Sequence, residues 1–431
     1  MIIELINTGS ELLLGRVLNT HQQWLCRRLA DLGYVVTRQV AVPDTGPDIR
    51  AAVAEALGRA DLVITTGGLG PTSDDVTRDL IAEMLGKELR EDPDILAHIK
   101  LFFDARKRSM PERVKVQAQV PQGALVLANP NGTAPGLAIE ARPNPFRSAV
   151  GSWLIMLPGP PRELRPMFNE TVVPLLGRVL PLDAPFVCQT LRATGIGESI
   201  VEERVDPLLK PLVARGLQLG YCAHTGQVDV RIAAQSPDAE QLVNEAASIV
   251  REQLGSFVYS DGEEDIEASI VTLLTRTKQT VAFAESCTGG CIAHRLTNVP
   301  GASAVFLAGF VTYSNFAKQK FLGVREETLK EHGAVSEPVA REMAEGAKRE
   351  TGADFAVAVT GIAGPSGGSD SKPVGTVFIA LAGPMKTTVE RNFNPYDRQT
   401  FKQATSQQAF DLLRRRLVLD ENKKPAAKSC G

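Results

Sequence analysis

Short apolar runs and helical periodicities alternate along the first 180 residues. Residues 2–8 read as strand, 21–32 as helix, 34–42 as strand and 48–58 as helix. A short apolar run at 62–66 ends in Gly-Gly, and 75–85 is helical again. A helix is expected over 93–108, further short strands near 124–127, 137–139 and 153–157, and one closing helix over 163–180. Strands that alternate with helices in this way imply βαβ units and a mostly parallel sheet.

A different rhythm begins after the Pro-rich segment 181–185. Strands are expected at 187–193, 217–222 and 228–233, with helices at 198–209 and 238–254. The run Val228-Asp229-Val230-Arg231-Ile232 alternates apolar and polar, as a half-buried strand does. A third series then starts, with helices at 266–275, 290–296 and 315–322 and strands at 280–284, 305–313 and 356–360. Ser314 and Ser336 stand as N-caps, the second followed by Pro338 in the first turn. Two antiparallel strands (374–382, 387–392) and a helix over 398–417 complete it. The expected class is α/β: two α/β domains with mostly parallel sheets, joined by a small α+β domain. The boundaries fall at 1–176, 185–260 and 264–419, with 420–431 a polar, disordered tail.

Length agrees, since 431 residues at roughly 150 per domain give about three domains. Lys plus Arg number 47 and Asp plus Glu 50, a net charge of −3. That balance gives no global attraction to DNA or anionic lipid, so neither direct nucleic-acid binding nor membrane association is expected. The ordinary apolar fraction excludes a disordered chain, a collagen and a coiled-coil rod. The N-terminus has no basic n-region and no run approaches the roughly 20 apolar residues of a membrane span, so the expected location is the cytoplasm. Six scattered cysteines (26, 188, 222, 287, 291 and 430) form no CxxC pair and read as reduced structural residues.

Three Gly-rich clusters follow apolar strands. The first contains Gly67, Gly68 and Gly70 and runs into Asp74-Asp75 at a helix start. Glycines allow a close backbone approach and free helix amides attract anions, which suits a phosphate. The two aspartates would repel that phosphate unless a divalent cation lay between them. A tight turn with an aspartate N-cap explains the composition equally well. No Gly-Lys-Ser/Thr follows, so it is not a P-loop. The second cluster is Glu285-Ser286-Cys287-Thr288-Gly289-Gly290. Its serine is either an N-cap or a nucleophile set beside helix amides. No histidine pairs convincingly with it. Lys318, near a helix start in an apolar surround, would lose affinity for its proton and could act as base, unless it is a solvated surface lysine. The third cluster, Thr360-Gly361-Ile362-Ala363-Gly364, leaves a buried strand at its carboxyl end, where open α/β sheets bind ligands.

The stretch TTGGLGPTSDDVTRD, with GSELL, NGTAPG and LPGPPRE in order, resembles the MoaB/MogA-like, molybdopterin-binding domain of CinA proteins over roughly 1–176. That resemblance implies a pocket with Gly67, Gly68 and Gly70 on the substrate, Asp44 and Asp75 at a divalent metal, and cleavage of the ADP-ribose pyrophosphate. Residues 142–150 look longer than the usual turn and are expected to lengthen a hairpin. The segment 187–255 resembles the KH-type domain of CinA, without a basic GxxG loop. AESCTGG, GFVTYSNFAK, VAVTGIAGPSGG and KPVGTVFIAL resemble the CinA C-terminal domain, the nicotinamide-nucleotide amidohydrolase family.

This last resemblance implies that nicotinamide mononucleotide is deamidated to nicotinate mononucleotide and ammonia. Ser286 would be the nucleophile and Lys318 the base, with Tyr313 and Thr360 beside them. Glu285, Thr288, Gly289, Gly290, Gly361 and Gly364 would bind substrate. No cofactor is expected for the deamidase, and a homodimer is implied. Two other classes stay open: a pterin- or nucleotide-binding protein without turnover, and an interaction protein linked to competence or DNA damage.

Overall fold

A computed structural model gives the fold and describes residues 1–147, 150–262 and 264–423. The chain forms two compact units, 1–187 and 188–431.

The first unit is built on β1 (Ile3–Thr8), β2 (Arg38–Val42) and β3 (Leu62–Thr66). A small antiparallel pair, β4 (Leu89–Glu91) and β5 (Gln119–Pro121), lies apart from the main sheet. Strands β6 (Leu125–Leu127), β7 (Gly136–Ala141) and β8 (Ser152–Leu157) complete it in the order β2-β1-β3-β8-β7-β6. β2, β1, β3 and β8 are parallel, β7 pairs antiparallel to β8, and β6 pairs antiparallel to β7. Period-two alternation feeds two cores. Ile3, Leu5, Leu62 and Ile64 face one layer, while Ile6 and Val63 face the other. Helices α1 (Ser10–Leu13), α2 (Thr20–Ala30), α3 (Gly46–Leu57), α4 (Thr77–Met84) and α5 (Pro93–Asp104) follow in turn. The α2 start is fixed by Asn19, which accepts from the Gln22 amide at 3.0 Å.

Two expectations change here. The helix expected over 93–108 ends at Asp104, and Lys107 takes a left-handed backbone at φ 52°. The single closing helix is α6 (Pro161–Met167), a π turn (Phe168–Val172) and α7 (Val173–Val179). Pro174 has no N–H to give the preceding turn, so the register widens there. The segment after β7 does lengthen a β7–β8 hairpin, although residues 148–149 lie outside the described ones.

The second unit opens with a four-stranded sheet, β9 (Phe186–Thr194), β10 (Gln218–His224), β11 (Gln227–Gln235) and β12 (Val258–Ser260), in the order β10-β11-β9-β12. Helices α8 (Glu198–Val213) and α9 (Ala239–Leu254) accompany it. The half-buried reading of β11 is corrected: Asp229 is itself buried and faces Arg192 on β9, 3.5 Å away. Arg192 also reaches Asp265 at 2.7 Å, just before the next helix.

The last sheet has β13 (Val281–Glu285), β14 (Phe306–Val311), β15 (Phe355–Gly361), β16 (Thr376–Ala382) and β17 (Thr388–Phe393) in the order β14-β13-β15-β16-β17. β14, β13 and β15 are parallel, β16 pairs antiparallel to β15, and β17 pairs antiparallel to β16. Helices α10 (Ile266–Thr277), α11 (Cys291–Thr297) and α15 (Arg398–Lys423) cover one face. On the other face the sheet packs on helices including α12 (Asn315–Leu322), α13 (Glu326–His332) and α14 (Glu337–Thr351). Residues expected to begin a disordered tail at 420 continue α15 to Lys423, where Glu421 pairs with Arg276 at 2.5 Å. The rest of that tail lies outside the described residues.

Helix α15 also meets the middle sheet. Gln407 donates to Thr194 at 3.4 Å, and Arg414 donates to the Ser256 carbonyl at 2.6 Å. The Asp411 carboxylate stands 3.5 Å from where a Cβ on Gly195 would sit. Among the described residues, five cysteines are free and no helix is long and apolar enough to cross a membrane.

Helix α12 is seated on α14 at Gly346, where an added Cβ would lie 2.0 Å from the Leu322 carbonyl oxygen. Gly346→Ala is therefore expected to cost about 1–3 kcal/mol, measured as a lower urea midpoint at unchanged m-value.

Candidate active site

Strand β13 carries Ser286 to the carboxyl edge of the last sheet. The Ser286 amide donates to the Val359 carbonyl of β15 at 3.1 Å, which ties the turn to the neighbouring strand. On the other side of β13, the Thr312 amide donates to the Glu285 carbonyl at 2.9 Å, and the chain enters α12. Ser314 caps that helix by accepting from the Ala317 amide at 3.1 Å. Lys318, in its first turn, points inward.

The Lys318 side chain is only 1% exposed. Its Nζ lies 3.0 Å from Ser286 Oγ and donates to the Thr312 carbonyl at 2.8 Å. Burial strips water from the ammonium and lowers its pKa. A thiolate at Cys287 would oppose that shift, but burial pushes the Cys287 thiol up to about 12, so it is neutral near pH 7. Lys318 is thus a desolvated amine in contact with a serine hydroxyl, the arrangement needed for a base and its nucleophile.

A cavity of about 290 Å³ opens over this pair. Ser286, Lys318, Tyr313, Thr360, Gly361 and Gly364 all line it. Thr360 is buried and donates to the Ala334 carbonyl at 2.7 Å, holding the loop before α14 against β15. Gly361 allows β15 and β16 to close, since a Cβ there would lie 2.8 Å from the Thr376 carbonyl. Ser336 begins α14 but caps no amide; its hydroxyl donates back to the Gly333 carbonyl at 2.9 Å.

Four expected substrate contacts are placed otherwise. The Glu285 side chain turns under α11, where its two carboxylate oxygens accept from the amides of Gly290, Ile292 and Ala293 at 3.0, 3.1 and 2.9 Å. It is a helix cap, 1% exposed. Thr288 is fully buried beneath the turn. Gly289 and Gly290 shape that turn through left-handed φ values of 59° and 94°. None of the four lines the cavity.

Sequence reading missed Arg398. It opens α15, lines the cavity, and donates to the Gly364 carbonyl at 2.8 Å and the Tyr313 hydroxyl at 2.6 Å. No local motif marks it, because its partners come from two distant loops.

The Gly cluster of the first unit sits at the carboxyl ends of β1 and β3. Gly67 and Gly68 have φ 96° and 69°. A Cβ on Gly68 would lie 2.0 Å from Thr77 Oγ1, and one on Gly70 would lie 2.2 Å from the Asp75 carboxylate. These glycines let the loop fold onto its own helix start. Asp44 accepts from the Ser10 amide at 3.2 Å, and Asp75 accepts from the Thr72 amide at 3.0 Å. Around the loop, the buried atoms Asn7 Oδ1, Thr65 Oγ1, Thr77 Oγ1 and Gln117 Oε1 have no hydrogen-bond partner among the described residues. Such orphaned polar atoms are costly unless water or a ligand meets them. His21 was also missed; its ring meets the Gly159 carbonyl of the LPG loop, and burial lowers its pKa. Among the described residues, no three His, Cys, Asp or Glu side chains gather as a metal site.

Comparison with known proteins matches residues 4–178 to a probable molybdopterin binding domain. Residues 188–260 match the damage-inducible protein CinA KH domain, and 263–417 the CinA C-terminal domain. A CinA-like protein of Akkermansia muciniphila is 45% identical, covering 94% of this chain and 95% of its own. A CinA-like protein of Kosmotoga olearia is 41% identical, covering 97% and 99%. The crystal structure of a competence/damage inducible protein from Agrobacterium tumefaciens is 45% identical over 37% of this chain and 99% of its own, with a TM-score of 0.35.

Glu285 joins the nucleophile turn to α11 through three amides. Glu285→Ala is expected to cost about 2–3 kcal/mol through the orphaned helix end, read as a fall in melting temperature.

Proposed function

The chain belongs to the CinA family, and on that footing we propose that its C-terminal domain is a nicotinamide-nucleotide amidohydrolase that converts nicotinamide mononucleotide and water to nicotinate mononucleotide and ammonia. The observation that carries this reading is the buried Lys318 amine in contact with Ser286 Oγ at the floor of a cavity. Ser286 Oγ attacks the carboxamide carbon while its proton passes to Lys318 Nζ. The tetrahedral intermediate collapses as Lys318 returns that proton to the leaving nitrogen, releasing ammonia and an acyl-serine. Water then attacks the ester, with Lys318 again taking the proton, and Ser286 is regenerated.

The α11 amides committed to Glu285 are not available to the oxyanion. Among the described residues, the amides of Cys287 and Thr288 donate to no backbone carbonyl, and they are the donors closest in sequence to the nucleophile. Nucleophile and base are both side chains, so the amide step draws on residues of this chain alone. The cytoplasm is the proposed location, and the protein is proposed to act as a homodimer on small nucleotides.

Ser286→Ala is expected to abolish ammonia release from nicotinamide mononucleotide without unfolding the protein; full activity in that variant would refute the nucleophile. In the wild type, kcat/KM should rise with pH through the lowered pKa of Lys318, because only the neutral amine accepts a proton.

The orphaned polar atoms around Gly67–Gly70 favour a second reaction, cleavage of the ADP-ribose pyrophosphate. Two carboxylates suit a divalent ion of the Mg²⁺ type, which takes one or two protein oxygens and completes its shell with water and phosphate. Asp44 and Asp75 would hold that ion, which would neutralise charge on the pyrophosphate. Asp75→Ala should remove metal-dependent release of AMP from ADP-ribose and leave ammonia release from nicotinamide mononucleotide within about twofold of wild type. Parallel loss of both would argue against separate sites.

A further inference from the structure

Helix α15 carries a second kind of face, away from the Ser286 cavity. Thr400, Gln403 and Gln407 recur at i, i+3 and i+7, so they form one stripe. Every residue of that stripe is polar and uncharged. Opposite it, the tip of the β10–β11 hairpin presents Thr225, Gly226 and Gln227, which are also uncharged. The two rows border a cavity of about 790 Å³ within the second unit, a size that holds a small organic ligand. Tyr396, 52% exposed, adds an aromatic face to its wall. None of these residues lines the Ser286 cavity.

Charge at this cavity is cancelled by the protein itself. Arg295 donates to the two Glu267 carboxylate oxygens at 3.0 and 2.8 Å, and Asp265 meets Arg192 at 2.7 Å. A phosphate would find no uncancelled cation among the lining side chains. The amides are less committed than the charges. Gln227 Oε1 accepts from the Tyr259 hydroxyl at 2.9 Å, which fixes the side chain and leaves its Nε2 without a partner among the described residues. The Gln403 amide has no partner there at either end. Gln407, by contrast, is held by Arg295 at 2.8 Å and by Thr194 at 3.4 Å, and forms a fixed floor. An amide offers a donor and an acceptor side by side, the pattern that pairs with the edge of a heterocyclic base. An exposed aromatic ring supplies a stacking face for the same ligand.

We propose that this cavity binds an uncharged, nucleoside-like heterocycle, its ring laid on Tyr396 and its donor–acceptor edge read by Gln227 and Gln403. The assignment stands apart from the amidohydrolase reading, because it uses no residue of the Ser286 site. Anionic relatives of the ligand are disfavoured, since the Asp265 and Glu267 carboxylates stand in the wall and their cations are already engaged. A ligand held here touches both the hairpin and α15, and so ties the middle sheet to that helix.

The test is calorimetric titration of the full chain with adenosine and, in parallel, with AMP. Adenosine is expected to bind the wild type, and Tyr396→Ala to weaken that binding about tenfold through the lost stacking face. Tyr396→Phe keeps the ring and should restore affinity to within about threefold. Gln403→Ala should weaken it about threefold or more. AMP is expected to bind this site at least about tenfold more weakly than adenosine. Tyr396 and Gln403 are both exposed, and an unchanged melting temperature checks that each variant is folded. Tyr396→Ser replaces the alanine variant if that protein does not fold. Adenosine binding that neither Tyr396→Ala nor Gln403→Ala weakens overturns the proposal, whatever other site it reports. So does an absence of adenosine binding to the wild type, or AMP binding as tight as adenosine in the component those variants weaken.

Discussion

The C-terminal domain is organised around one costly placement, a lysine amine removed from water. An ammonium at 1% exposure cannot be left to a carbonyl and a hydroxyl alone without a large desolvation penalty. The site relieves that penalty by letting the group give up its proton. The surrounding architecture serves the same end. Strand β13 delivers the hydroxyl, Thr312 supplies the carbonyl that fixes Nζ, and α12 brings the side chain inward from its first turn. Gly346 lets α14 press against Leu322, so the helix carrying Lys318 cannot drift outward. The buried, protonated Cys287 completes a surround without a negative charge to hold the proton on.

A second constraint is the competition for helix amides. A strand-to-helix turn rich in glycine invites an anion from either the ligand or the protein. At α11 the protein supplies its own, since Glu285 fills the helix start with a carboxylate. At the Gly67–Gly70 turn the arrangement differs. There Asp75 is engaged with Thr72, while hydroxyl and amide atoms around the loop stay unmatched. The two loops thus differ in how their helix amides are met, although Thr288 Oγ1 at α11 is likewise buried without a partner among the described residues.

This contrast explains what could be read from the chain beforehand. Periodicity located the sheets because their strands bury both faces, and residues such as Ile3, Leu5 and Ile6 report directly on two cores. Ser286 and Lys318 were legible through the AESCTGG and GFVTYSNFAK motifs, since the residues alone left an N-cap serine and a surface lysine open. The break at Phe168–Val172 was hidden, because Pro174 acts through a backbone donor that it lacks, and apolar spacing does not record that. Arg398 was hidden for another reason: its role depends on Tyr313 and Gly364, which approach it only through the tertiary fold. Glu285 looked like a ligand because sequence gives a residue type but not the direction in which its side chain turns. Asp229 misled in the same way, its charge being absorbed by Arg192 inside the sheet.

The meeting of α15 with the middle sheet bears on how such a chain can be dissected. Gln407, Asp411 and Arg414 are nearly inaccessible in the intact second unit. A fragment beginning near residue 263 would expose them as a new polar face and would strip Asp265 of its arginine. Cutting there therefore does more than remove a neighbour, because it alters the solvation of the very helix whose other end presents Arg398. The boundary is a point of similarity between sequences, but mechanically it runs through the middle of a shared beam.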